Sequence, residues 1–231
     1  MTTKFICAAD VIREIQNIDK QAESVTSRTE NSALMDKIEQ LRLVIRDVVI
    51  TYHDNRRVKK EVWFNNGVVS RIGAPAEIGY FETGQIRFEV WFKDGKQYRA
   101  GAPAVITYFE DGQINSETWF MDGKVHRIDA PAAIYYYENG QIESKSWYTD
   151  GKVHRVDNPS FIKYFKNKQI ESKSWFKDGK LHRLYGSPYG GPAVISYFED
   201  GTIREERYYM DGIFCPVDLV KLAAVVSSQM I

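Results

Sequence analysis

A tryptophan recurs at an unvarying interval of 28 residues, at Trp63, Trp91, Trp119, Trp147 and Trp175. No other feature restricts the fold as much, because a period of this length marks a stack of like supersecondary units rather than one globular core. Arg71, Arg99, Arg127, Arg155 and Arg183 keep the same interval. Pro75, Pro103, Pro131 and Pro159 follow four residues after their arginines, whereas Pro192 follows nine after Arg183, so five residues are inserted there around Leu184 to Gly191. Ile50, Tyr52, Val58, Glu61 and Trp63 match Ile78, Tyr80, Ile86, Glu89 and Trp91, which starts an imperfect first repeat near Asp47. Tyr208 stands where a sixth Trp falls due, so the expectation is six repeats over residues 47–214.

Turn chemistry inside the repeat points to strands. Asp111-Gly112 and Asp122-Gly123 both read as two-residue type I′ hairpins, since Asp-Gly tolerates positive φ at both central positions. Equivalent dipeptides recur at Asn66-Gly67, Asp94-Gly95, Asn139-Gly140, Asp150-Gly151, Asp178-Gly179, Asp200-Gly201 and Asp211-Gly212. Between the turns, one strand is expected from Gln113 to Met121, and a short Lys-x-His-Arg strand leads to an Ala-Pro corner. Both faces of these strands carry apolar residues, so each unit gains stability by stacking on its neighbours. The expected fold is mainly β, an elongated single-layer antiparallel β-meander, with Trp63, Trp91, Trp119, Trp147 and Trp175 as a structural ladder.

The two ends read differently. Val11, Ile15 and Ile18, then Leu34, Ile38 and Leu41, fall at helical spacing, so residues 1–46 form a helical N-terminal segment. Residues 215–231 form a C-terminal helix that Asp218 caps and that covers the last strand edge. Because a regular ladder offers a partner several equivalent registers, specificity needs a feature that occurs once. Val11, Ile15, Ile18, Leu34, Ile38 and Leu41, with Tyr185 and Tyr189 of the insertion, are therefore the candidate partner surface.

Composition narrows the function classes. In 231 residues, Lys plus Arg and Asp plus Glu both number 31, so there is no basic excess to favour nucleic acid or an anionic membrane. The two cysteines, Cys7 and Cys215, form neither a disulfide framework nor a zinc spacing. The N-terminus meets charges too soon for a signal peptide, and no segment has the length and apolarity of a transmembrane helix. An intracellular protein is expected.

The Tyr-Phe-x-x-Gly-Gln-Ile and Trp-Phe-x-Asp-Gly-Lys-x-His-Arg segments resemble MORN repeats, in a long variant found in proteins of giant amoebal DNA viruses and of some bacteria and phages. The resemblance implies scaffolding and protein contacts and, in some members, phospholipid binding. It also implies a viral protein sited in the virion or the host cytoplasm.

Among candidate sites, the column Arg71, Arg99, Arg127, Arg155 and Arg183 is the one that could hold an anionic ligand, against the plainer reading that each arginine stacks on an aromatic or binds turn carbonyls. His126, His154 and His182 recur one per repeat, too far apart for a shared zinc ion. Catalytic constellations are singular, whereas these carboxylates recur as ladders, so no catalytic, metal or cofactor site is expected. The expected function is a non-enzymatic scaffold or protein-interaction element with no cofactor and no nucleic-acid partner. The partners are proteins, and association of copies through the N-terminal helices is a further option. The rivals are a peripheral acidic-phospholipid-binding module and an antitoxin-like protein that binds a toxin.

Overall fold

The structure, a computed structural model, describes residues 17–18, 20–21, 32–37, 48–183 and 191–216. The described residues before Val48 are helical, and 22 strands follow between Val48 and Cys215. The chain divides into two compact units, Met1–Lys96 and Gln97–Ile231. In the first unit, Val48–Tyr52, Val58–Asn65, Glu77–Tyr80 and Ile86–Val90 lie side by side, each antiparallel to the next. The same succession runs in the second unit through Val105–Tyr108, Ile114–Thr118, Ala133–Tyr136, Ile142–Ser146, Phe161–Tyr164, Ile170–Ser174, Val194–Tyr197 and Ile203–Met210. Within each unit, neighbouring strands of the main sheet pair in order, as expected of a meander.

Register builds one column across the second unit. Ile106, Glu117, Ile134, Lys145, Ile162, Lys173, Ile195 and Glu206 are direct partners in turn. A branched apolar side chain thus alternates with a long charged one, whose aliphatic stem can cover its neighbours while the head group reaches water. The corner after each proline buries a small residue: Ala76, Ala104, Ala132, Ser160 and Ala193 are all fully buried. In the first unit Trp63 and Ala76 form a core against Val48, Ile50, Val69 and Phe92.

The strand expected from Gln113 to Met121 is broken at Trp119. Ile114–Thr118 stays in the main sheet, while Phe120–Met121 peels away to pair with Lys124–Val125 as a lateral hairpin. Trp119 is the joint: its N–H donates to Ala132 O, and its carbonyl accepts from His126 N–H. Trp147 and Trp175 act alike, with hairpins Tyr148–Thr149/Lys152–Val153 and Phe176–Lys177/Lys180–Leu181. Alternation by itself does not show the break, because the hairpin keeps the strand period of two.

The two sets of turns also differ, which corrects the expectation of type I′ geometry for both. At Asp122-Gly123 both residues have positive φ, 51° and 76°, and Asp150-Gly151 and Asp178-Gly179 repeat this. At Asp111-Gly112 only the glycine does, at 87°. There Gly112 N–H donates to Phe109 O and Phe109 N–H to Gln113 O, a type I turn closed by a bulge. A second bulge follows in the strand, where Thr107 pairs with Ser116 and Tyr108 with Ile114, leaving Asn115 as the extra residue. Asp111 stays out of the left-handed region and its carboxylate accepts the Gln113 N–H instead.

Candidate functional site

The lateral hairpin brings each arginine back beside its own tryptophan. From Trp119 the chain runs out, turns at Asp122-Gly123, and returns through His126 to Arg127, whose guanidinium carbon lies 3.9 Å from the Trp119 ring centroid. Arg71 over Trp63, Arg155 over Trp147 and Arg183 over Trp175 repeat this at 3.8, 4.1 and 3.9 Å. Arg99 holds the same position in the repeat as these four. The guanidinium is then pinned in its own plane: Nη1 of Arg127, Arg155 and Arg183 donates to the carbonyl of Pro131, Pro159 and Pro192, each at 3.3 Å. Burial lowers the pKa of Arg155 and Arg183.

The histidines join one repeat to the next. His126 Nδ1 accepts the backbone N–H of Asp150, His154 that of Asp178 and His182 that of Asp211. An accepting Nδ1 leaves the proton of the neutral ring on Nε2. Beside each bond, the glycine of the same turn donates to the preceding hairpin, Gly151 to Val125 O and Gly179 to Val153 O. Sequence reasoning weighed these histidines only as metal ligands, although their position one before each Arg marked them as part of the unit. Among the described residues, no cluster of three or more His, Cys, Asp or Glu could hold a metal ion.

On the sheet itself, the charged column meets a tyrosine from the following repeat. Tyr80 OH donates to Glu61 and Tyr136 OH to Glu117, at 3.1 and 2.6 Å. Where the charge is reversed the contact changes kind, with Lys145 and Lys173 ammonium groups over the Tyr164 and Tyr197 rings. The fold thus tolerates either sign at one position. Burial first, then the hydrogen bond to Glu117 and its charge, push the Tyr136 phenol well above its ordinary range.

Between successive units of this ladder lies a cleft of about 320 Å³, walled by Arg127 and Asp129 on one side and by Trp147, Tyr148, His154 and Arg155 on the other. The residue after each arginine stands out beside it. Ile72, Ile128 and Val156 are 92%, 67% and 69% exposed, although all are branched and apolar. Sequence reasoning passed over this position, yet Ile72, Ala100, Ile128, Val156 and Leu184 keep it apolar after all five arginines. Of the expected partner surface, Ile18 is buried and Leu34 half-buried, while Val11, Ile15, Ile38, Leu41, Tyr185 and Tyr189 lie outside the described residues, as does the helix expected after Asp218. No helix among the described residues is long and apolar enough to cross a membrane.

These features define an array of β-hairpin units, each completed by its neighbours. A family model described as "MORN repeat variant" matches residues 132–146, which span the Pro-corner alanine and the two strands that follow it. The same geometry recurs either side of that segment, and a long antiparallel meander of such units fits a MORN-like repeat protein. No curated protein matches it significantly.

Proposed function

We propose that the array is a non-enzymatic interaction module that holds protein partners by contact along the row of lateral hairpins. The observation that carries this reading is the exposed apolar position after each stacked arginine, at Ile72, Ile128 and Val156. A branched residue kept in water at the same point of successive repeats contributes nothing to packing there, and exposed apolar positions of this kind serve binding. The arginine–tryptophan pair holds the loop that presents it. Neutral net charge argues against the lipid-binding rival, since it offers no long-range pull toward an acidic membrane. A viral or phage origin and a virion or host-cytoplasm location belong to the same proposal and rest on the resemblance of the repeat signature.

Affinity capture with the full chain from its native source tests this. Stoichiometric recovery of a protein is expected, reduced at least tenfold by Ile128→Asp with Val156→Asp, both exposed and therefore neutral for folding. Recovery unchanged by the pair of aspartates, or flotation with acidic vesicles in place of protein capture, would overturn it.

A further inference from the structure

The cleft between the Arg127 loop and the Trp147 hairpin carries donors that the fold does not use. Nη1 of Arg127 and of Arg155 is committed to a proline carbonyl, but Nη2 and Nε of both have no hydrogen-bond partner among the described residues. His154 adds a third donor, because its Nδ1 accepts from Asp178 N–H and its Nε2–H is likewise unpartnered among the described residues. Both guanidinium groups are held rigid by stacking at 3.9 and 4.1 Å, so little ordering remains to be done when an acceptor arrives.

The charge at the cleft selects the acceptor. The charged groups that line the cleft, two guanidinium groups and the carboxylate of Asp129, sum to +1, and the Asp178 carboxylate, 3.4 Å from His154 Nδ1, adds negative charge behind the wall. That balance suits a singly charged carboxylate better than a phosphate dianion, which Asp129 would repel. Asp129, at φ 56°, occupies the left-handed region, as does its counterpart Asp157 at 61°, where the matching residues of earlier repeats are Gly73 and Gly101. Aspartate is among the residues that tolerate this backbone, and its position at the cleft wall puts the carboxylate where it adjusts that charge. Ile128 and Val156, both largely exposed, flank the cleft with apolar surface.

We propose that this cleft seats the side-chain carboxylate of an acidic segment of a protein partner, with apolar neighbours of that carboxylate resting on Ile128 and Val156. The proposal rests on the interaction-module reading and specifies the chemistry of the partner. Arg127 and Arg155 grip the carboxylate through their free edges, His154 Nε2–H adds a neutral donor, and Asp129 keeps the site from holding more highly charged anions.

A fluorescein-labelled octapeptide of alternating Glu and Val, and its Gln-for-Glu counterpart, test this by anisotropy with the full chain. The Glu peptide is expected to bind at least tenfold more tightly, and Arg127→Gln with Arg155→Gln to erase that preference. Because those changes disturb the ladder, Asp129→Asn serves as the second variant. It leaves the stack alone, tolerates positive φ, and is expected to tighten the Glu peptide about threefold by removing a like charge. Equal affinity for the two peptides, or an Asp129→Asn variant that binds no better, would overturn the proposal. So would phosphatidylserine vesicles that bind through the two arginines more tightly than the peptide. Partner capture with Arg127→Gln and Arg155→Gln separates this from the broader reading: partners retained by the double variant leave the module standing and sink the cleft, whereas none recovered by the unaltered chain sinks both.

Discussion

Stacking a guanidinium on an indole hides one face of each from water while leaving the guanidinium edge free to donate, so one residue can hold a loop and still meet a ligand. Arg127 shows the first use, with Trp119 beneath it and Pro131 O on one nitrogen. Arg127→Lys keeps the charge but loses the planar stack and the fixed fork. It should cost about 1 kcal/mol in chemical denaturation, and no loss would mean that charge alone matters. Tyr136 gives a pH signature. Its pKa is raised by burial and by Glu117, so the folded state holds the phenol proton more tightly than the unfolded chain does. Stability from this group is complete below the ordinary tyrosine value near about 10 and declines as pH rises above it. Tyr136→Phe should therefore show a shallower stability loss between about pH 10 and 11 than the unaltered chain, and equal slopes would remove Tyr136 as the cause.

The turns at Asp150, Asp178 and Asp211 each depend on the histidine of the hairpin before. His154→Ala removes the acceptor of the Asp178 N–H and should cost about 1 kcal/mol. His154→Asn, whose Oδ1 can stand in for Nδ1, should recover most of that, with faster hydrogen exchange at the Asp178 amide in the alanine variant alone. The bulged turns offer a stabilising change. Lys168 sits at φ 71° where Gly112 and Gly140 stand in other repeats, so Lys168→Gly should raise stability by about 0.5–1 kcal/mol, and a lower melting temperature would contradict it. These turns show what a sequence can and cannot reveal. Asp111-Gly112 and Asp122-Gly123 are the same dipeptide, and which becomes type I′ depends on whether the flanking strands close two residues or three, a matter of pairing rather than local preference. The Trp, Arg and Pro positions were legible because they repeat. The use of His126 and His154 as staples was not, because their partners lie 24 residues away and are backbone N–H groups, which carry no residue identity.

Across the second unit, hydrogen bonds link each repeat to its neighbour: strand to strand in the meander, Gly151 to Val125, Asp150 to His126, Tyr137 OH to Tyr164 O. Folding free energy in such an array is a sum over units and their interfaces, so any internal unit is removable if the junctions are equivalent. The 28-residue period made this architecture legible, while the identity of a partner was not, since a regular array records its own packing in every repeat and the partner's chemistry only at its surface. Deleting Ile128–Arg155, one whole period, joins Arg127 to Val156 and tests the central claim most directly. His126 then faces Asp178 as His154 did, and Glu117 faces Tyr164 OH as it faced Tyr136. The shortened chain should unfold in one cooperative transition, with a denaturant dependence smaller by about one eighth, in proportion to the 28 of 231 residues removed. A chain that loses its β-sheet circular dichroism, or whose cooperativity collapses, would show that the repeats are not interchangeable units and would contradict the account.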